Sequence, residues 1–162
     1  MHHLRLLRVP GLIQPISHFS DAVLAGRTLY VSGLVATDRR GEIVGVGDVV
    51  EQTRQIFRNL RRVLEAAGAG PWDVAKLTIF MRFVDQRPLI NPVRQEFFGK
   101  HRPASTLVEV SRLVREELLL VIEAVAELPD PSRMPQPKEV SPSAKGGTAP
   151  RRNRSRRKPP VE

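Results

Sequence analysis

From Asp48 onward the apolar residues Val49, Val50, Thr53, Ile56, Phe57, Leu60, Val63, Leu64 and Ala67 recur at spacings of three and four. Arg54, Arg58, Arg61, Arg62 and Glu65 fill the positions between them. That spacing is the period of an α-helix with one buried face, and it predicts a single amphipathic helix of about five turns. Its ends carry matching chemistry. Asp48 is placed to accept from the free amides of the first turn, Glu51 completes an Asp-x-x-Glu box, and Gly68 permits the left-handed conformation that stops a helix. A long apolar stripe of this kind needs a second apolar layer to cover it.

The segments on either side supply that layer. Ala22 to Val23 and Thr28 to Ser32 read as strands around the turn Ala25-Gly26-Arg27, and Arg39-Arg40-Gly41-Glu42 reads as a further turn before Ile43-Val44. Leu77 to Phe83 is rich in β-branched and aromatic residues and reads as another strand. A second helix is expected from Pro88 or Leu89 to Phe98, with Gly99 past its end and Pro92 in its first turn, where a missing N–H costs little. Thr106 to Val110 and Leu118 to Ala126 close the pattern as strands. The order predicts an α+β domain in which a sheet carries both helices on one face.

A chain of 162 residues accommodates one such domain. After Leu128 the composition changes: eight of the 14 prolines lie beyond that point, with almost no large apolar side chain. Such a segment cannot bury enough surface to offset its ordering entropy, so residues 129–162 are expected to be a disordered Pro-rich basic tail. Residues 1–15 are expected to form an N-terminal extension and 16–128 the folded domain. The tail also explains the net charge of +9, because it holds nine Lys or Arg against three Asp or Glu and leaves 17 against 14 in residues 1–128. The domain itself is therefore near +3, within the ordinary range of a soluble protein. With no cysteine, disulfides, thiol nucleophiles and thiolate metal sites are excluded. No apolar run is long enough to cross a bilayer, and no secretory cleavage pattern opens the chain, so a cytoplasmic location is expected.

Several segments, in order and in register across residues 16 to 128, resemble the RidA (YjgF-like) family of imine and enamine deaminases. They are Leu29-Tyr30-Val31-Ser32-Gly33; Val63 to Ala69; Asp73 to Phe80; Asn91 with Glu96-Phe97-Phe98; His101-Arg102-Pro103-Ala104; Val108-Glu109-Val110; and Ile122-Glu123-Ala124-Val125-Ala126. The resemblance implies a chorismate-mutase-like mixed sheet with two helices on one face, assembled as a homotrimer with ligand pockets in the clefts between subunits. The continuous apolar run Leu118-Leu119-Leu120-Val121-Ile122 points the same way, since such runs occur where both faces of a sheet are covered.

The resemblance also implies a site, and this chain departs from it. The family pairs the substrate carboxylate with an arginine that follows the Pro-Ala dipeptide, a role suited to the guanidinium fork. Here Ser105 occupies that position. A glutamate thought to position the hydrolytic water is replaced by Val121, and an aromatic that is a tyrosine in many members is matched by Phe19. No catalytic residue is therefore assigned, and the expected ligand-binding set is Phe19, Ser32, Gly33, Asn91, Ser105, Leu107, Val121 and Glu123. Ser32 and Asn91 also suit plain backbone capping, and Glu123 suits a structural role.

Other candidates are weaker. His18 next to Phe19 could act as acid or base near neutral pH, but a surface histidine is the simpler reading; His101 reads as a turn residue, and His2 and His3 are terminal. The four histidines have no metal-site spacing, and Gly45-Val46-Gly47 is followed by Asp48, whose charge repels phosphate. No metal or cofactor is expected. Arg102 could swing toward a carboxylate but better suits the surface.

Three functions remain open on the sequence. One is a divergent family member that binds or processes a small metabolite in its clefts and is not a standard 2-imino acid deaminase. The second is an active enamine or imine deaminase with a rearranged site. The third follows from the family's occasional labelling as a ribonuclease or translation inhibitor: weak, nonspecific nucleic-acid contact through Arg151, Arg152, Arg154, Arg156, Arg157 and Lys158.

Overall fold

The computed structural model describes residues 4–14 and 17–130. The expected basic tail, apart from its first two residues, lies outside that range, as do His2 and His3. In chain order the elements are β1 (Leu4–Leu7), β2 (Ala22–Ala25), β3 (Thr28–Leu34), α1 (Val49–Ala67), β4 (Val74–Met81), α2 (Arg87–Phe98), β5 (Ala104–Glu109) and β6 (Leu120–Glu127). The strands form one six-stranded sheet in the order β1-β2-β3-β6-β4-β5. Only β4 and β5 run parallel, and α2 makes the crossover between them. The fold is α+β, as the pattern predicted. Residues 4–7, within the segment expected as an extension, add β1 to the sheet by pairing with β2 from Leu4↔Ala25 to Leu7↔Ala22.

The last strand shows how the two faces divide. Along β6, Leu120, Ile122, Ala124 and Ala126 are buried, whereas Val121 and Val125 are partly open and Glu123 and Glu127 exposed. The buried set meets α1, whose stripe of Ile56, Leu60, Val63 and Leu64 is completely covered. α2 lies against α1 through three rings: Phe57 stacks on Phe97 at 4.7 Å and meets Phe98 edge-on at 5.7 Å.

Asp48 accepts from Val50 and Glu51 amides and caps α1. Gly68, at φ 80°, ends it with its amide directed at the Glu65 and Leu64 carbonyls. The expected capping box is only half made, because Glu51 reaches forward to Arg58 at 2.6 Å instead of back to the Asp48 amide. α2 begins at Arg87, one residue before the expected start, out of a 3-10 turn at Val84–Gln86. Pro92 therefore stands in the second turn, not the first, and leaves the Pro88 carbonyl without its helical donor. β4 starts at Val74 and stops at Met81, so Arg82 and Phe83 fall outside the strand expected to contain them. Ile43 forms only an isolated bridge with Thr37.

Gln52, on α1, has 0% exposure and ties distant loops to the helix. Its Nε2 donates to the carbonyls of Gly45 at 3.1 Å and Glu117 at 2.7 Å, and its Oε1 accepts from the Leu119 amide at 2.9 Å. The segment entering β6 is thereby fixed. Among the described residues no helix is long and apolar enough to cross a membrane.

Candidate functional site

Between β3 and β6 the register slips. Val31 faces Ala124 and Leu34 faces Ile122, so three residues on β3 span what two span on β6. The extra residue is a bulge at Ser32-Gly33, and a bulge turns its residues away from the regular alternation of the strand. Ser32 is held there by its hydroxyl, which donates to the Ser20 carbonyl at 2.6 Å, and by its amide, which donates to the Asp21 carbonyl at 3.1 Å. This is the backbone role anticipated for it.

The bulge forms part of the wall of a cavity of about 440 Å³, which is also lined by Leu12, Phe19, Val35, Val114 and Leu118. Its mouth is apolar: Phe19 is 51% exposed and Val114 more so. Two of the buried polar side chains in its wall are bonded within the chain. Asn59 Nδ2 donates to the carbonyls of Val35 and Thr37, and Asp21, 7% exposed, accepts from the Val9 amide at 2.8 Å. At the rim Arg115 donates to the Gly41 carbonyl at 3.3 Å and to Glu117 Oε1 at 3.2 Å. A backbone hydrogen bond at Glu117 itself, helped by Arg115, holds the Glu117 carboxyl below the usual carboxylate range. Val121 closes up against Gly33 from β6.

A second group lies at the opposite edge of the sheet. Ser105 on β5 pairs with buried Leu77 on β4, so the two side chains share the helix face. There the Arg94 guanidinium, on α2, donates from Nη2 to Ser105 Oγ at 3.0 Å. A cation thus stands at the serine where the sequence showed none. Burial lowers the Arg94 pKa from its ordinary value, but a guanidinium stays charged in a protein. Among the described residues no carboxylate forms an ion pair with Arg94. Asn91, three residues earlier, is exposed and its side chain makes no hydrogen bond to a described residue. It is the fifth residue of α2 and so does not cap the helix start. Leu107, half-buried, follows Ser105 on the same face of β5.

Glu123 belongs to neither group. It pairs with Thr78 on the face away from the helices, in a shallow recess of about 150 Å³ with Tyr30 and Lys76. Within one chain, then, Phe19, Ser32 and Gly33 line the cavity with Val121 packed against Gly33, Asn91, Ser105 and Leu107 lie at the helix edge, and Glu123 on the open face. His101 Nε2 lies 2.7 Å from the Val74 carbonyl, which is a turn-fixing contact, while His18 and Arg102 are exposed. No group of three or more His, Asp or Glu among the described residues has metal-site geometry. Arg94 is the residue that sequence reasoning missed. Its spacing from Asn91 puts both on one face of a helix, and that was the available signal.

Residues 11–128 match the family model described as Endoribonuclease L-PSP. The chain belongs to the RidA (YjgF-like) family. A RutC family protein of Pyrococcus horikoshii is 41% identical over 70% of this chain and 89% of its own. RidA-type relatives with named activities include a 2-iminobutanoate/2-iminopropanoate deaminase of Dermatophagoides farinae, 37% identical over 74% of this chain and 97% of its own. They also include the 3-aminoacrylate deaminase RutC of Acinetobacter baylyi, 35% identical over 73% and 93%. Among solved structures, a putative endoribonuclease of Thermotoga maritima superposes with a TM-score of 0.73 at 35% identity, covering 78% of this chain and 98% of that one. TdcF of E. coli, solved with bound serine, gives 0.70 at 28% identity over 76% and 98%.

Proposed function

We propose that this chain is a divergent RidA-family protein that binds or processes a small metabolite in clefts between copies of itself, and that it is not a standard 2-imino acid deaminase. The observation that carries this reading is Val121 packed against Gly33. A valine can neither hold nor polarise a hydrolytic water, and the buried Asp21 and Asn59 side chains of the cavity wall are bonded within the chain. The separation of the cavity residues from the Asn91–Ser105 edge supports an assembled site, because a homotrimer would bring the edge of one copy to the cavity of the next. The open sheet face, with Tyr30 and Val108 exposed, supports the same assembly. The relatives named as deaminases and the serine-bound TdcF favour a small metabolite as the ligand.

The test offers freshly generated 2-iminopropionate and 2-iminobutyrate to the purified protein, with its mass in solution measured alongside. The expected results are a trimer and hydrolysis close to the buffer rate. Turnover matching that of arginine-bearing relatives would overturn the reading. Mass spectrometry of co-purified small molecules is expected to identify the occupant.

A second reading, an enamine or imine deaminase with a rearranged site, is favoured by one observation, the Arg94 guanidinium at Ser105. It requires activity that disappears on changing Arg94, Ser105 or Asn91 while the trimer persists.

A further inference from the structure

Six polar side chains are buried among the described residues, and Asp21 is the one of them that carries a charge. The three amides of that set are well supplied with partners: Gln52 and Gln55 each make three hydrogen bonds, and Asn59 makes four. Asp21 is arranged differently. Its Oδ2 accepts from the Val9 amide at 2.8 Å, while Oδ1 meets no donor among the described residues, and none of their ion pairs includes it. A carboxylate accepts on both oxygens and donates on neither, so a buried one with a single hydrogen bond is costly until a further donor reaches it.

That donor has room to come from outside the chain. Gln86 Oε1 is the one side-chain acceptor among the described residues that is sealed from solvent without a partner, so Asp21 Oδ1 opens onto accessible space. The space is the cavity of about 440 Å³, whose wall includes Asp21, and an adjoining hollow of about 370 Å³ that shares Leu12 and Ile13 with it. Asp21 is held at this wall, because its side chain is tied to Val9 and its carbonyl accepts from the Ser32 amide at 3.1 Å. Among the described residues that line the cavity only Asp21 and Arg115 are charged, and Arg115 is engaged by the Glu117 carboxylate and the Gly41 carbonyl. Arg8, in the adjoining hollow, is exposed and not paired with Asp21. One negative charge is thus left without a partner beside apolar walls supplied by Leu12, Val35 and Leu118. An anionic ligand would be repelled there, and an apolar molecule without a donor would leave Oδ1 unbonded. A protonated amine on an apolar body satisfies both the charge and the walls. The volume, near the lower end for ligand pockets, keeps that body small.

We infer that Asp21 is the receptor for a protonated amine, and that the ligand of this cavity is a small apolar ammonium compound. This rests on the metabolite-binding reading above and narrows it, for the part of the cleft that each copy builds by itself. Asp21 holds the ligand by charge and hydrogen bond, and no covalent bond is made or broken there.

Isothermal titration of the full chain tests this with benzylamine, its neutral counterpart benzyl alcohol and the anion benzoate. The wild type is expected to bind benzylamine most tightly, benzyl alcohol about tenfold more weakly, and benzoate more weakly still. Asp21→Asn keeps an oxygen for the Val9 amide and loses the charge. Benzylamine should then fall to the affinity of benzyl alcohol, while benzyl alcohol and the melting temperature hold. Val114→Trp, at the exposed mouth, should weaken benzylamine and benzyl alcohol by a similar factor. Benzoate that binds wild type as tightly as benzylamine would overturn the inference without recourse to any variant. So would benzylamine that binds Asp21→Asn as tightly as wild type. If a co-purified ligand without an amine is then identified by mass spectrometry, the metabolite reading survives and only the amine receptor falls. If no probe binds wild type and no small molecule co-purifies, both fall.

Discussion

A Cβ placed on Gly33 would lie 2.8 Å from Val121 Cγ1, closer than side-chain carbons approach in folded proteins. Gly33 does not have a positive φ, so it is space and not backbone conformation that demands glycine here. The valine on β6 and the glycine in the β3 bulge are therefore matched to each other. Gly33→Ala is expected to destabilise the fold by about 1–3 kcal/mol, the usual range for overpacking. Val121→Ala in the same chain should recover much of that loss. Urea unfolding of the two single variants and the double variant measures the coupling, and additive losses would show that the contact does not set the requirement.

Gln52 joins α1 to Gly45 and, far along the chain, to Glu117 and Leu119. Gln52→Leu keeps the side chain's bulk and removes every one of those bonds. A buried amide or carbonyl left without a partner is expensive, so the substitution should cost about 3 kcal/mol or more. Hydrogen exchange is the sharper readout: the Leu119 amide should lose its protection in the variant, ahead of the centre of β6.

Phe57 holds α2 to α1 through Phe97 and Phe98. Truncating a buried ring of this kind typically costs about 3–5 kcal/mol, and Phe57→Ala should fall in that range by thermal or urea unfolding. Phe57→Leu should cost less, yet still let α2 shift and lengthen the Arg94–Ser105 contact. A folded far-UV spectrum with a melting temperature between those of wild type and Phe57→Ala is the expected result.

The Glu117 carboxyl, lowered by its backbone bond and by Arg115, links stability to pH in one direction. A carboxylate whose folded pKa lies below its unfolded value supports the fold above the unfolded value, and that support disappears as pH falls through the folded one. Glu117→Gln should therefore melt below wild type at about pH 7, and the gap should close by about pH 3. The group is exposed, so added salt should shrink the gap as well.

Much of the fold was legible in the residues. The spacing from Val49 to Ala67 could only be a helix with one buried face, and Asp48 and Gly68 marked its ends because capping chemistry is local. The strand character of Leu120 to Ala126 and the turn at Gly26 were equally local, whereas the apolar run at its start gave no sign of the alternating burial along β6. The misses have tertiary causes. Glu51 looked like the second half of a capping box, but Arg58 lies closer to its carboxylate than the Asp48 amide does. Pro92 looked confined to a first turn, and a 3-10 turn upstream moved the helix start instead.

For the site, the sequence by itself determined what Ser105, Val121 and Phe19 are, and hence which groups are absent, because identity is all that such a comparison needs. It also determined the family and the layered α+β pattern, since periodicity and turn chemistry act over a few residues. Only the tertiary structure decided that Arg94 reaches Ser105, that Gly33 must yield to Val121, and that Glu123 turns away from both groups. Those facts depend on how α2 packs on α1 and on a one-residue bulge between strands about ninety positions apart, relationships that no local pattern encodes.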